Sequence, residues 1–200
     1  MVLALACSMI PVQNLYAEEA EEKTEKEDGK EAGTDAEEET VWEVVEINTA
    51  EDFLSFAANC TVDAWSADKR VVLNADIDLS DTGFGAVPVF TGIFDGQGHT
   101  ISGFRYSGDG YVAGLFRYIE KDGIVENLTL KGEVIASDEK ECIGGLCGVN
   151  YGTIQKCSFQ GTVSGKTTVG GLVGVNEGMG TVRNCFAGGR VTGYYSTGGI

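Results

Sequence analysis

Carboxylates are almost missing from the last third of this chain: from Cys142 to Ile200 the only acid is Glu177. Glycan cleavage on a β scaffold needs several acids close together, or a carboxylate cluster that holds calcium beside a basic residue. Neither can be assembled from one Glu. Histidine occurs once, at His99, so a His-Glu-x-x-His zinc site cannot be written within these 200 residues. His99 itself sits between Gly98 and Thr100, with no acid or nucleophile fixed beside it by a motif, and reads as a turn residue. Positive charge is also scarce, with 14 Lys and Arg against 31 Asp and Glu and a net charge of -17. That sign disfavours nucleic acid and anionic membranes as partners. The apolar run Met1 to Val12 is too short to span a bilayer.

What is present is repetition. Gly145-Leu146-Cys147-Gly148-Val149-Asn150 is nearly copied by Gly171-Leu172-Val173-Gly174-Val175-Asn176. The copies continue through Thr153 to Cys157, Gly161 and Val163 in the first, and Thr181 to Cys185, Gly189 and Val191 in the second. A more degenerate copy starts at Gly114-Leu115-Phe116, and a further one at Gly198-Gly199-Ile200. Gly fills about one position in four from Ile143 to Ile200, and each interior Gly costs a helix roughly 1 kcal/mol relative to Ala. A period in the high twenties with Gly corners and alternating Val, Ile, Leu and Thr describes one turn of a β-solenoid.

Each coil then supplies short parallel strands that stack on the next coil at about 4.8 Å. The expected inward ladders are Leu146 over Leu172, Ile154 over Val182, Cys157 over Cys185 and Val163 over Val191. Ile154 and Cys157 are an odd number of residues apart, so the chain must bend between them. Asn150 and Asn176, at equal repeat positions, are expected to form a side-chain amide ladder at a corner.

The region before the repeats divides by composition. Residues 1–17 read as a signal peptide, with Leu15-Tyr16-Ala17 as the cleavage site. Residues 18–40 hold twelve acids and three Lys and read as an acidic disordered linker. Residues 41–109 read as an N-terminal cap and first coils, and 110–200 as repeats truncated at the C-terminal end. Within the cap, Val41 to Ile47 forms a strand, and Thr49-Ala50-Glu51-Asp52 opens a helix with Phe53, Leu54, Phe56 and Ala57 as its apolar face. An open solenoid end needs covering, and this helix is the expected lid.

In their order as well as their words, Asp76-Ile77-Asp78-Leu79, Phe94-Asp95-Gly96-Gln97-Gly98-His99-Thr100-Ile101, Gly114-Leu115-Phe116 and the paired Gly-Leu motifs resemble GLUG-motif bacterial surface proteins. The resemblance covers roughly Val41 to Ile200. It implies an all-β chain folded as a right-handed parallel β-helix of the pectate-lyase-like type, with an N-terminal capping helix. It also implies an exported, adhesin-like module at the bacterial cell surface. Similar regions precede the protease domain of IgA-specific metallopeptidases.

The remaining candidates have structural readings. Asp76-x-Asp78 places two acids on one strand face, and Asp95, Asp109 and Asp122 lie nearby in sequence; polar turns are expected rather than calcium. Cys60, Cys142, Cys147, Cys157 and Cys185 show no zinc spacing. Cys157 and Cys185 are near enough for a bridge, and thiols acting as small core hydrophobes are the expectation. Asn127-Leu128-Thr129 matches a glycosylation sequon and reads as a turn and strand. No catalytic, cofactor-binding or metal residue is assigned, and no cofactor is expected. The expected partner is an extracellular glycan or a host or cell-surface protein, without nucleic acid and without membrane insertion after signal cleavage. The alternative is the noncatalytic N-terminal region of a secreted metallopeptidase or polysaccharide-processing enzyme.

Overall fold

The computed structural model describes residues 42–62, 64–107, 111–136 and 142–200. The expected signal peptide and acidic linker lie outside the described residues.

The chain opens with β1 (Glu43–Ile47) and α1 (Ala50–Asn59), followed by β2 (Lys69–Leu73) and β3 (Ile77–Asp78). The next turn carries β4 (Val87–Phe90), β5 (Ile93–Asp95) and β6 (Thr100–Tyr106). From there each coil contributes four strands in a fixed order. The first such coil is β7 (Val112–Ala113), β8 (Phe116–Ile119), β9 (Ile124–Glu126) and β10 (Thr129–Ile135). The second is β11 (Cys142–Gly144), β12 (Cys147–Asn150), β13 (Thr153–Gln155) and β14 (Ser158–Ser164). The third is β15 (Thr168–Gly170), β16 (Val173–Asn176), β17 (Thr181–Arg183) and β18 (Phe186–Thr192), after which β19 (Ser196–Gly198) begins another.

Every pairing between coils is parallel, and the strands sort into four lateral sheets. The six-stranded sheet runs β1-β2-β5-β9-β13-β17, and the five-stranded sheet β3-β6-β10-β14-β18. Two four-stranded sheets, β4-β8-β12-β16 and β7-β11-β15-β19, complete the circuit. The protein is therefore a parallel β-solenoid with a single described helix.

All four expected ladders are present. Ile154 pairs with Val182 and Val163 with Val191 in register. The Leu146 amide donates to the Leu172 carbonyl at 2.9 Å, and the Phe186 amide, next to Cys185, donates to the Cys157 carbonyl at 3.0 Å. Leu146, Leu172, Ile154, Cys157 and Val163 are all buried in one continuous core. The bend required between Ile154 and Cys157 is Lys156, whose φ is +52°. Gln97, Asn127 and Asn184 take the same left-handed conformation at the equivalent corner of other coils. For residues with a Cβ that conformation costs roughly 1–2 kcal/mol, which the inward burial of both flanking side chains offsets.

The first coil is closed by α1. Thr49 caps it, with its hydroxyl accepting from the Asp52 amide at 3.2 Å and the Asp52 carboxylate accepting from the Thr49 amide at 3.0 Å. Phe53, Phe56 and Ala57 are buried, while Leu54 is half-buried. The Phe53 ring meets Phe84 at 5.3 Å, and Phe56 meets Phe94 at 5.6 Å and Phe90 at 5.9 Å, between centroids. A rod whose interior repeats aliphatic rungs thus ends in a plug of interlocked aromatic rings.

In the middle of the five-stranded sheet, Gly132, Gly161 and Gly189 stack in register. A Cβ on Gly161 would fall on the Gly132 carbonyl, and one on Gly189 on the Gly161 carbonyl. Bare backbone at this column lets the coils close on one another.

Candidate functional surface

Outward positions of the sheets, rather than a cleft between domains, carry the polar chemistry. On the six-stranded sheet, Asp95 accepts from Arg70 Nη2 at 2.8 Å, from Asn127 Nδ2 at 2.9 Å and from the Gln97 amide at 3.0 Å. Burial opposes the Asp95 charge. The bonds from Asn127, the Gln97 amide and Arg70 outweigh it and hold the carboxyl below its usual range. Two coils further on, Gln155 Nε2 donates to Glu126 Oε2 at 2.6 Å, and Arg183 Nε donates to Gln155 Oε1 at 2.8 Å. These groups form bonds along the rod axis, linking coil to coil.

The five-stranded sheet presents a more open face. Lys131, Gln160 and Gly188 share one outward row, and Glu133, Thr162 and Arg190 the next. Phe186 is exposed beside them. Such a face offers donors, acceptors and one aromatic surface over several coils.

His99 lies in the expected turn, with its amide donating to the Gly96 carbonyl at 2.7 Å. It does have an acid beside it. Asp76 Oδ1 is 3.2 Å from His99 Nδ1 and also accepts from the Thr100 amide at 2.8 Å. The acid arrives from the preceding coil through the β3–β6 pairing, so no local motif could announce it. Asp78 accepts from the Ser80 amide at 2.9 Å. Both acids therefore serve backbone amides as turn residues. Asp122 is exposed in the turn before β9, and Asp109 lies outside the described residues. Among the described residues no three His, Cys, Asp or Glu converge on a common point.

Cys157 and Cys185 occupy neighbouring rungs as unbridged thiols. The Cys157 thiol donates to the Gln155 carbonyl and the Cys185 thiol to the Arg183 carbonyl, each at 3.2 Å. The interaction between the neighbouring sulfurs raises the pKa of Cys157, with burial adding to the effect, and lowers that of Cys185. Burial pushes Cys60 up to about 12 and raises Cys147 as well. Asn127 takes its corner position and Thr129 opens β10, as a turn and strand.

Stacked parallel rungs, glycine corners and a capped apolar interior define the class as a β-solenoid repeat protein. Residues 141–164 and 165–192 each match the GLUG motif, and the chain carries these two successive GLUG repeats within its β-solenoid. It is 35% identical to halomucin of Haloquadratum walsbyi over 122 residues, covering 52% of this chain and 1% of that protein. It is 38% identical over 73 residues to a Gly-rich membrane protein candidate of Evansella cellulosilytica, covering 36% of this chain and 8% of that one. The chain thus spans a small fraction of the length of these relatives. A crystal structure of a candidate immunoglobulin A1 protease from Bacteroides ovatus shares the fold, with a TM-score of 0.59 and 20% identity over 72% of this chain and 47% of that one. No helix among the described residues is long and apolar enough to cross a membrane.

Proposed function

We propose that this chain is a secreted or cell-surface structural and adhesive module, a stiff β-solenoid that holds polar lateral sheets toward extracellular glycans or proteins. The observation that carries the reading is the parallel stacking of coil on coil in all four sheets, with one register shift between β6 and β10. Each coil buries its apolar rungs only against its neighbours, so bending the rod would separate hydrogen-bonded strands and open the core. Stiffness is then intrinsic to the fold. The polar outer rows supply hydrogen-bonding surface without disturbing that interior. The names of the relatives, halomucin and a Gly-rich membrane protein, support a surface or extracellular setting.

A second reading is the noncatalytic N-terminal region of a secreted metallopeptidase or polysaccharide-processing enzyme. Its support is the solenoid shared with the candidate immunoglobulin A1 protease, of which this chain matches 47%. The whole chain, incubated with arrays of extracellular polysaccharides and glycoproteins, tests both. Retention with every ligand recovered intact is expected. Shortened products would contradict a noncatalytic module, and no retention on any surface would contradict adhesion.

A further inference from the structure

Among the described residues, Arg117 Nε is the one buried side-chain nitrogen or oxygen without a hydrogen-bond partner. A guanidinium stays charged at any physiological pH and is matched by planar or tetrahedral oxyanions through paired N–H donors. Leaving one of its donors buried and unpaired is unfavourable. Arg117 lines a recess of about 470 Å³ formed by the segment after β3, the end of β6 and β8, within the range of small-ligand sites. The recess lies on the first coils, where β3 and β4 are the end strands of their sheets.

The rest of the wall has a consistent chemistry. Arg105 flanks the recess and holds Glu133 only loosely, at 3.5 Å. Phe84 is half-buried, anchored by rings of Phe53 at 5.3 Å and Phe104 at 6.0 Å, and contributes an apolar surface. Gly83 is exposed with open space where a Cβ would stand, so its peptide groups remain accessible. Ser107 adds a hydroxyl, and the exposed Asp81 an acceptor that repels a second anion but suits sugar hydroxyls. One cation for an oxyanion, acceptors for hydroxyls and an aromatic surface for C–H groups together describe an acidic monosaccharide unit.

We infer that the Arg117 recess binds the carboxylate or sulfate group of an acidic glycan, with Arg117 as the anion ligand. The inference rests on the glycan-binding reading above and deepens it. Calorimetric titration of the whole chain at low salt with glucuronate, glucose 6-sulfate and glucose tests it. At least one acid should bind, with glucose about tenfold weaker or worse, the loss expected for removing a charge-assisted pair. Binding of glucuronate alone identifies a carboxylate; binding of the sulfated sugar alone identifies a sulfate ester.

Arg117→Gln should lose about tenfold or more in affinity while Lys121→Gln, at an exposed position in the turn before β9, binds as the parent does. Because Arg117 lacks a protein partner for Nε, Arg117→Gln should melt at or above the parent temperature. Equal binding of glucose and the acids, no binding of either acid, or a destabilised Arg117→Gln that still binds would each overturn the inference. Array retention that ignores Arg117 would leave the adhesive module standing and sink only this site; the absence of both would sink the two together.

Discussion

Asn150 Nδ2 donates to Asn176 Oδ1 at 2.7 Å across adjacent coils, at paired positions of β12 and β16. The buried Asn150 amide also donates to the Gly152 carbonyl and accepts from the Gly152 amide, each at 3.2 Å. Asn176 repeats the outer half of the pattern by donating to the Gly180 carbonyl at 2.7 Å. This is the amide ladder expected from the repeat, and it fixes the corner where the chain passes to the next sheet.

Asn150→Ala would leave buried backbone groups of that corner without partners, so a loss of about 1–3 kcal/mol is expected. Asn176 is exposed, water can replace its bonds, and Asn176→Ala should cost less. Urea unfolding of the two variants checks the order; a larger effect at Asn176 would contradict it.

The aromatic plug depends on Phe53, fully buried on α1. Phe53→Ala should destabilise by about 3–5 kcal/mol. Because the helix covers only the first coils, the loss should be local: amide exchange should accelerate in β1 to β3 before β12 to β14.

Asp95 has a carboxyl held below its ordinary range. A carboxyl with a depressed folded-state pKa adds stability above the unfolded value, about 4, and loses it as pH falls through the folded value. The chain should therefore weaken below roughly pH 4, and Asp95→Asn should flatten that part of the stability curve. A variant as acid-sensitive as the parent would place the effect elsewhere.

The neighbouring Cys157 sulfur lowers the pKa of the half-buried Cys185 while Cys60 and Cys147 are raised by burial. Thiolate is the reactive form. Cys185 should be alkylated by iodoacetamide ahead of Cys60, Cys147 and Cys157 in the folded chain. Cys157→Ala, which removes that neighbouring sulfur, should move the pH midpoint of that reaction upward.

The repeats were readable because duplication preserves position. Leu146 and Leu172, or Val163 and Val191, could be aligned rung on rung from spacing alone, and a bend between Ile154 and Cys157 followed from the odd interval between two inward residues. The cap helix was legible in Thr49 to Asp52 through its reciprocal capping bonds. Earlier coils were harder, since the registered intervals vary: Val71 faces Phe94, whereas Phe94 faces Val125. Without a constant period the sequence did not show that Asp76 reaches His99, that Arg70 and Asn127 converge on Asp95, or that Arg117 is left unpaired. Those groups meet only through coil stacking.

The most direct test of the stacked solenoid is a methyl-labelled NMR spectrum of the chain. Cross-relaxation peaks are expected between the methyls of Leu146 and Leu172 and between those of Val163 and Val191, because each pair occupies adjacent rungs of one interior. Assigned methyls without those peaks would contradict the fold and the role built on it.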